Sequence, residues 1–472
     1  MLHTDKFYIN GSWVDPSSTE TIDVKDPTNG KTIAKVPQGT SADVDAAVRA
    51  ARAAFIGWSE TPREVRADYL TRICDGLEAR ADELVEVVTS ELGMPVEMTR
   101  GMQVELVVTE SRAHVQSLST FPFEEKIDNS LVVREPVGVV AAITPWNYPL
   151  VQIMRKVAPA LATGCTIVVK PSEETPLNAY ILAEVIDAAG LPDGVFNLLT
   201  GFGPVVGEAL AEHPEVDMVS LTGSTIAGRR VSELASKTIK RVSLELGGKS
   251  PNIILDDADM NKAAEATLNW CYLNSGQTCT ALTRMLVPAA RLQEAEKAII
   301  DATAKHKVGN PHDEGSTMGP LVSQKQRDRV LGYIQKGIDE GARVVLGGIE
   351  GQDTNSGGYY VNPTVFSDVK PGMAIEQEEI FGPVLTIVPY ETEDEAVEIA
   401  NGTIYGLAAA VWSADDDRAR KMANRIRAGQ IEINGGAFNA FAPFGGFKQS
   451  GHGRENGRYG FEEFLEVKSL QL

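Results

Sequence analysis

Cysteine is scarce in this chain, and its copies are far apart. Four cysteines occur in 472 residues, at positions 74, 165, 271 and 279. Their spacing includes neither a CxxC pair nor a disulfide framework, so neither a metal site nor a disulfide-rich scaffold is expected. Isolated cysteines are typical of a reducing compartment, which predicts a cytoplasmic location.

Basic residues and long apolar runs are also lacking. Lys and Arg total 44 against 65 Asp and Glu, a formal net charge of −21. Nucleic-acid binding requires a basic patch that no segment supplies, so a nucleic-acid partner is not expected. No run of about 18 apolar residues occurs, and the first residues show no basic region followed by an apolar one. Membrane insertion and secretion are therefore not expected either.

Short apolar runs alternate with helix-length segments in the first half of the chain. Residues 41–93 are helical in character and begin with a Ser and an Asp that are suited to capping. Five apolar runs without clean alternation follow, as in strands that are buried on both faces. They are "GVVAAI" (138–143), "CTIVVK" (165–170), "GVFNLL" (194–199), "VDMVSL" (216–221) and "RVSLEL" (241–246). This order predicts an α/β fold with a doubly wound parallel sheet, where ligands bind beyond the carboxyl ends of the strands.

Cys279 differs from the other three cysteines in its neighbours. It lies in "NSGQTCTALTR" among residues that favour turns and hydrogen bonds, whereas a core cysteine usually has apolar neighbours. Cys165 opens an apolar run, and Cys74 and Cys271 lie in helix-like segments, so these three are expected to be structural. Cys279 is therefore a candidate reactive thiol.

Seven motifs occur in one order along the chain. They are "PWNYP", "KPSE", "TGST", "LELGGKSPNII", "GQTC", "EEIFGPV" and "PFGGFKQSGHGRENG". Together they resemble the NAD(P)-dependent aldehyde dehydrogenases of the hydrolytic, carboxylate-forming type, and the resemblance extends from "INGSWVDP" to "FLEVKSLQL". It implies an aldehyde as substrate and NAD as cofactor, with NADP as a further possibility.

The resemblance implies catalytic roles for four residues. Cys279 is then the nucleophile, because thiolate addition to the carbonyl creates the oxyanion-bearing carbon from which hydride can leave. Asn147 and the backbone N–H of Cys279 donate to that oxyanion. Glu245, in the apolar run "RVSLEL", is the base for the hydrolytic water, since burial raises a carboxyl pKa toward the useful range. Glu455 is implied to assist proton transfer, although a Glu beside Arg454 can also form an ion pair.

The cofactor segments differ from the usual dinucleotide fingerprint. "GFGPVVG" has GxGxxxG spacing, while "GSTIAG" follows a strand and opens a helix whose N-terminus favours a pyrophosphate. The resemblance places Lys170 and Glu173 at the adenosine ribose. A carboxylate at 173 repels a 2′-phosphate, which favours NAD over NADP, although Lys170 could offset the repulsion. The full expected set is Ile143, Thr144, Trp146, Lys170, Glu173, Gly203, Gly207, Gly223, Ser224, Leu246, Glu379 and Phe381.

The helix after the "PWNYP" motif is expected to line an aldehyde tunnel. The tunnel residues implied by the motif alignment are Tyr148, Val151, Gln152, Arg155, Thr278, Thr280 and Phe438. An Arg at 155 resembles the semialdehyde branch, where a cation receives the distal carboxylate of the substrate, and its planar fork suits that pairing. The alternative is that Arg155 turns outward or pairs with an acidic residue of the protein. From the first interpretation we predict that an ω-carboxy aldehyde is a better substrate than the neutral aldehyde of equal length.

The implied fold has three parts. An NAD-binding domain covers 1–115 and 137–246, and a second α/β domain with Cys279 covers 247–447. A small β oligomerisation arm and C-terminal strand take 116–136 and 448–472, which implies a homodimer or homotetramer.

Three other functions fit part of the pattern. A coenzyme-A-acylating dehydrogenase shares the thiol, but that branch generally lacks the carboxylate found at Glu245. A non-catalytic binding or structural protein of this fold is disfavoured because every reactive position holds a competent residue. A cysteine hydrolase needs a Cys–His pair, and none of the six histidines lies in a segment that the motifs place near Cys279.

Overall fold

The computed structural model describes residues 2–350 and 357–472. Its strands are β1 (Phe7–Ile9), β2 (Ser12–Val14), β3 (Thr21–Lys25), β4 (Thr32–Pro37), β5 (Glu124–Ile127), β6 (Ser130–Pro136), β7 (Val139–Ile143), β8 (Thr166–Lys170), β9 (Phe196–Leu198), β10 (Met218–Thr222), β11 (Arg241–Glu245), β12 (Pro251–Ile254), β13 (Arg284–Pro288), β14 (Arg343–Leu346), β15 (Thr364–Ser367), β16 (Val384–Tyr390), β17 (Ala408–Trp412), β18 (Gln430–Ile433), β19 (Gly451–His452) and β20 (Leu465–Gln471). Its α-helices are α1 (Ser41–Ser59), α2 (Arg63–Ala79), α3 (Ala81–Leu92), α4 (Val96–Thr99), α5 (Leu106–Thr120), α6 (Pro149–Thr163), α7 (Leu177–Ala188), α8 (Glu208–Glu212), α9 (Thr225–Ala235), α10 (Met260–Cys271), α11 (Leu292–Thr303), α12 (Gln324–Asp339), α13 (Ala374–Gln377), α14 (Glu393–Asn401), α15 (Asp416–Ala423) and α16 (Gly457–Glu463).

The larger sheet has eight strands in the order β19-β11-β10-β7-β8-β9-β1-β2. Its five central strands, from β11 to β9, run parallel. They are the five predicted strands, and each lies within two residues of its expected limits. Helices pack on both faces of these strands, so every side chain of β7, β8 and β10 is buried. The predicted parallel sheet is confirmed.

Helices α1 to α3 occupy the region that was predicted to be helical. Thr40, rather than Ser41, caps α1: its Oγ1 accepts the N–H of Ala42 at 3.2 Å. Asp43 accepts the N–H of Thr40 at 2.8 Å, which completes a capping box. Gly93 ends α3 with a φ of 85°, a conformation that glycine adopts without strain. The composition predicted the helices correctly, and the N-cap differs by one residue.

The second sheet has seven strands in the order β14-β15-β16-β13-β12-β17-β18, parallel except for β14. A three-stranded antiparallel sheet, β20-β6-β5, stands apart from both large sheets. Helix α5 runs to Thr120, so the strands of this small sheet begin after the expected limit at 116. The short strand β19 pairs with β11 and thus belongs to the larger sheet rather than to the arm. Among the described residues, no helix combines the length and the apolar character needed to cross a membrane.

Candidate active site

Cys279 ends a loop with an unusual backbone. Asn274, Ser275 and Gly276 have consecutive φ values of 52°, 57° and 77°. The left-handed region is costly for residues other than glycine, and such strain persists only where the surrounding structure enforces it. A Cβ on Gly276 would lie 2.2 Å from the carbonyl carbon of Gly382, so only glycine fits there. The strained backbone lowers the stability of the fold and fixes the path of the chain just before the thiol.

Asn147 is tied directly to this loop. Its Nδ2 donates to the backbone oxygen of Gln277 at 2.9 Å. The backbone carbonyl of Asn147 accepts from Asn274 Nδ2 at 2.9 Å and from Gln103 Nε2 at 3.1 Å. The Asn147 amide has a second hydrogen, which the bond to Gln277 leaves available. The strand exit after β7 thus brings an amide donor beside the segment that carries Cys279.

A cavity of about 740 Å³ opens beside Cys279. All seven residues predicted for the tunnel line it: Tyr148, Val151, Gln152, Arg155, Thr278, Thr280 and Phe438. Much of the remaining wall is apolar and includes Met102, Leu106, Trp270, Leu273 and Phe444. A π-helical turn over Arg100–Glu105, just before α5, contributes Met102 to this wall. Such turns occur frequently at functional sites.

Arg155 lies in the cavity wall, but two nitrogens of its guanidinium are already paired with a carboxylate of the protein. Its Nε and Nη2 donate to the two oxygens of Glu110 at 2.9 and 2.6 Å. Burial alone would lower the pKa of Arg155, but the charge and hydrogen bonds of Glu110 raise it above the ordinary value. Two of the three nitrogens of the guanidinium are therefore engaged, and binding of a substrate carboxylate by Arg155 stays a prediction. The alternative, pairing with an acidic residue of the protein, is what the structure contains.

Glu245 is a buried carboxyl group without a hydrogen-bond partner. Its side chain is 3% exposed, and neither oxygen has a partner within the described residues. Burial raises the pKa of Glu245 well above its usual value, and the neighbouring charge of Glu455 raises it further. A Cβ on Gly445 would lie 2.7 Å from Glu245 Oε1, so glycine leaves room for this side chain. The environment matches that of a general base whose pKa is shifted toward neutrality.

Glu455, in contrast, has a hydrogen-bond partner at one of its two oxygens. Its Oε1 accepts from Lys156 Nζ at 2.6 Å, and Lys156 also donates to Thr222 Oγ1 at 2.7 Å. Thr222 ends β10 and is the register partner of Glu245 on β11. The ion pair anticipated for Glu455 therefore exists, with Lys156 rather than with the adjacent Arg454 as its partner. The charges of Lys156 and Glu455 both act on Glu245.

Burial is also the main cause of the raised pKa values of the cysteine thiols. It raises the pKa of the Cys279 thiol to about 12, with a further contribution from the charge of Glu379. Cys279 is nevertheless partly exposed in the cavity, whereas Cys74, Cys165 and Cys271 are fully buried. A thiol with so high a pKa needs a base to become a nucleophile. Among the four cysteines, only Cys279 combines access to a cavity with a nearby carboxyl group.

The expected cofactor residues surround the carboxyl ends of the central strands. The N–H of Thr144 donates to the carbonyl of Lys170 at 3.1 Å, which joins the ends of β7 and β8. Lys170 Nζ bonds to two backbone carbonyls and to Glu173 Oε2 at 3.3 Å. Gly203 and Gly207 lie in a π-helical turn before α8. A Cβ on Gly207 would lie within 4 Å of Ile143 and Lys170, whereas a Cβ on Gly203 would meet open space.

The N-terminus of α9 faces the same region. Ser224 caps this helix and accepts the N–H of Ala227 at 3.2 Å, so its hydroxyl hydrogen remains available to a ligand. Gly223 precedes the cap, and its N–H donates to the carbonyl of Glu245. A Cβ on Gly228 would lie 2.7 Å from Leu246, so glycine allows the helix to pack closely on the end of β11.

Glu379, Phe381 and Trp146 form the side of this region nearest Cys279. Glu379 Oε1 accepts the N–H of Gly248 at 3.0 Å, and burial raises its pKa to about 7. The rings of Trp146 and Phe381 meet edge to face, with centroids 5.3 Å apart. A Cβ on Gly248 would lie 2.4 Å from the carbonyl oxygen of Cys279. The "LGG" turn therefore joins the cofactor residues to the thiol.

Two functional residues were missed at the sequence level. Lys156 follows Arg155 in α6, a helix whose residues are all buried, and two adjacent charges in such a helix require partners. That signal could have indicated Lys156. Glu110, the partner of Arg155, lies 45 residues away along the chain, and no local pattern connects the two.

The comparisons with known proteins agree with this geometry. Residues 13–470 match the model of the aldehyde dehydrogenase family. The 3-succinoylsemialdehyde-pyridine dehydrogenase of a Pseudomonas species is 48% identical, over 98% of this chain and 98% of that protein. A mutant aldehyde dehydrogenase C from Pseudomonas syringae, solved with NAD+ and octanal, is 48% identical with a TM-score of 0.98, over 99% of this chain and 97% of that one. An aldehyde dehydrogenase of Mycobacterium tuberculosis, solved with NAD+, is 43% identical with a TM-score of 0.95, over 99% and 98% of the two chains. The chain therefore belongs to the aldehyde dehydrogenase family.

Proposed function

We propose that this enzyme oxidises an aldehyde to a carboxylate with NAD, through a thioester on Cys279 that is hydrolysed by water. One observation carries the proposal: the partly exposed thiol of Cys279 lines a large cavity, the charge of the unpartnered buried Glu245 acts on it, and the amide of Asn147 is bonded to Gln277, two residues before it. Burial raises the pKa values of both Cys279 and Glu245, as expected for groups at a functional site.

The chain supplies the groups for two successive steps. In the first, Glu245 accepts the thiol proton, the sulfur of Cys279 bonds to the aldehyde carbon, and Asn147 donates to the resulting oxyanion. NAD, when bound, accepts the hydride that leaves this carbon, and a thioester remains on the sulfur. Before the second step, Glu245 releases the thiol proton to solvent. Glu245 then takes a proton from water, whose oxygen bonds to the thioester carbon as the C–S bond breaks. That proton passes to the departing sulfur, and the carboxylic acid ionises to the carboxylate.

The residues at the strand ends suit a dinucleotide. The first N–H groups of α9 have no partners within the helix, and such a terminus favours an anion such as a pyrophosphate. Apolar side chains lie exposed nearby: Ile226 is 78% exposed in the first turn of α9, Phe202 precedes the turn before α8, and Val205 lies within that turn. Arg230 and Glu208 join α9 and α8 at 2.6 Å, which holds these apolar groups in one region where they can cover a flat base.

The cofactor preferred is NAD rather than NADP. Glu173 is partly exposed, so its carboxylate is available to accept from a 2′-hydroxyl. Lys170, the cation that could offset the repulsion of a 2′-phosphate, is itself bonded to Glu173 and to the carbonyls of Pro171 and Gly201. The two relatives from Pseudomonas syringae and Mycobacterium tuberculosis were solved with NAD+, which supports the same choice.

The charges in the cavity favour an aldehyde with a neutral tail. Glu110 neutralises Arg155, and the other charged residues of the wall, Glu105 and Glu432, are acidic. An anionic tail would therefore meet more negative than positive charge. The relative from Pseudomonas syringae was solved with octanal, a neutral aldehyde, whereas the relative from a Pseudomonas species is named for a semialdehyde. We propose a neutral aldehyde and keep the ω-carboxy aldehyde of equal length as the competing substrate to test.

The enzyme is further proposed to be a cytoplasmic homodimer or homotetramer. The three-stranded sheet exposes Ile127, Val467 and Leu470, which would be covered in an oligomer. Four free cysteines suit a reducing compartment. Light scattering of the purified protein tests the assembly, and a mass of one chain would contradict it.

The test of the reaction is the appearance of NADH when protein, octanal and NAD are mixed without coenzyme A. Cys279→Ala should abolish turnover and leave NAD binding intact, while Cys74→Ala, at a buried cysteine far from the cavity, should remain active. Glu245→Gln should lower steady-state turnover by about 100- to 10,000-fold. A burst of NADH before the stall would place the loss in thioester hydrolysis. Activity that requires coenzyme A, or that survives Cys279→Ala, would contradict the proposal.

A further inference from the structure

Four buried charges of alternating sign lie in a row beneath the base. Glu110 of α5 bonds to Arg155 of α6, whose third nitrogen, Nη1, lies 4.0 Å from Glu455 Oε2. The other oxygen of Glu455 bonds to Lys156 at 2.6 Å. None of the four side chains is more than 7% exposed. The row leads from α5 to the neighbourhood of Glu245.

We propose that Arg155, held by Glu110, is a positioning residue that fixes Glu455 beside Glu245 and so sets the pH at which Glu245 acts as a base. This inference rests on the proposed function. It assigns the conspicuous arginine of the tunnel to the chemistry of the base rather than to the substrate.

Arg155 is held in one orientation from three sides. Besides its two bonds to Glu110, its guanidinium lies over the ring of Phe444, 4.6 Å from the centroid. Phe444 and Glu455 are joined by two backbone hydrogen bonds of 2.8 and 2.7 Å. Asn456, the residue after Glu455, donates to Glu110 at 3.4 Å. Both the ring under the guanidinium and the carboxylate facing it thus belong to one bridged segment, which Arg155 and Glu110 anchor to α5 and α6.

The sign of the electrostatic effect follows from the groups that face Glu245. Burial and the charge of Glu455 raise the pKa of Glu245, whereas Lys156, Arg454 and Arg155 lower it. Removing the positive charge of Arg155 should therefore raise the pKa of Glu245. Removing the negative charge of Glu110 leaves Arg155 less neutralised and should lower it. The thiol of Cys279 and the nearby Glu379 also face this region and are unchanged in both variants.

The two substitutions should move the pH profile in opposite directions. A base acts only when deprotonated, so activity rises with pH through its pKa. Glu110→Gln should move the acidic limb of the kcat profile to lower pH, and Arg155→Met should move it to higher pH. Each shift should be roughly half a pH unit to one pH unit. The double variant should return close to the native profile, since the two charges are removed together. Arg155→Lys, which keeps the charge, should stay nearer to native than Arg155→Met.

The experiment measures kcat and kcat/KM from pH 5 to 9 with NAD, using octanal and an ω-carboxy aldehyde of equal length. Equal shifts of the limb with both aldehydes support the inference. Unmoved limbs, or two shifts of the same sign, would overturn it. So would an Arg155→Met variant whose only effect is to change the ratio of kcat/KM for the two aldehydes, because that result identifies a substrate residue.

Two controls separate the possible failures. Arg155→Met leaves the charge of Glu110 buried without its partner, so we expect it to be the least stable variant. Glu110→Gln and the double variant still give the sign of one shift and the cancellation of both to check. If the native protein forms no NADH with either aldehyde, the proposed function fails. If it does, and the limbs do not move, only the role of Arg155 fails.

Discussion

Two arginines of this enzyme are buried beside a glutamate, and they differ in what surrounds them. Arg284 at the start of β13 bonds to Glu376 at 2.7 Å and donates to three backbone carbonyls, of Lys249, Ile399 and Ala400. Arg155 bonds to Glu110 alone and turns its remaining nitrogen toward Glu455 at 4.0 Å. The first pair is closed by backbone groups, and the second is open toward the active site.

The same contrast separates the carboxyl groups. Glu376 has a cation and backbone partners, whereas Glu245 has no hydrogen-bond partner within the described residues and a strongly raised pKa. A fully bonded buried charge fixes neighbouring elements to one another, while an unbonded carboxyl group costs stability and gains basicity. Stability and chemistry are thus assigned to different buried charges, and each assignment can be tested.

The largest effect on stability is expected at the closed pair. Glu376→Gln leaves the positive charge of Arg284 buried without a counter-charge, which typically costs about 3–5 kcal/mol. Thermal unfolding should show a clearly lower Tm for this variant. Glu294→Gln is the matched control, because Glu294 pairs with Arg291 at the surface, where an ion pair contributes about 1 kcal/mol or less. If both variants lose the same small amount of stability, the buried pair of Arg284 and Glu376 contributes no more to stability than the surface pair does.

An effect of opposite sign is expected at the unbonded carboxyl group. In the unfolded chain Glu245 loses its proton near pH 4.5, whereas the folded protein retains it to a higher pH, so stability falls as the pH rises between the two pKa values. Gln does not titrate. Glu245→Gln should therefore be more stable than the native protein at pH 8 and about equally stable at pH 4, which the Tm of both proteins at the two pH values checks. A Tm difference that is independent of pH would show that the raised pKa of Glu245 does not lower the stability of the folded protein.

The smallest effect is expected where a carboxylate is half-exposed and only loosely paired. Glu173→Gln removes the repulsion of a 2′-phosphate, so the ratio of kcat/KM for NAD over NADP should fall by about tenfold, equivalent to 1.4 kcal/mol. Lys170 stays in place and needs no new partner, since two carbonyls already accept from it. Steady-state kinetics with both cofactors check this. A native enzyme that prefers NADP would refute the role given to Glu173.

The sequence predicted what is local, and it missed what depends on distant contacts. Five parallel strands were placed to within two residues because strands buried on both faces have continuous apolar runs. Tyr148, Val151, Gln152 and Arg155 line the cavity because helix α6 begins directly after the turn that the "PWNYP" motif marks. The state of Arg155 could not be foreseen, because Glu110 meets it only through the packing of α5 on α6. Nor could the left-handed run before Cys279, which is enforced by Gly382 more than a hundred residues later.

The raised pKa of Cys279 has a consequence for the survival of the enzyme under oxidative stress. Peroxides and alkylating agents react with the thiolate, and a thiol of pKa about 12 is deprotonated in roughly one molecule in 100,000 near pH 7. We therefore expect the resting thiol to react slowly with such agents, even though it is partly exposed in the cavity. Its reactivity should rise when a base such as Glu245 draws the proton away.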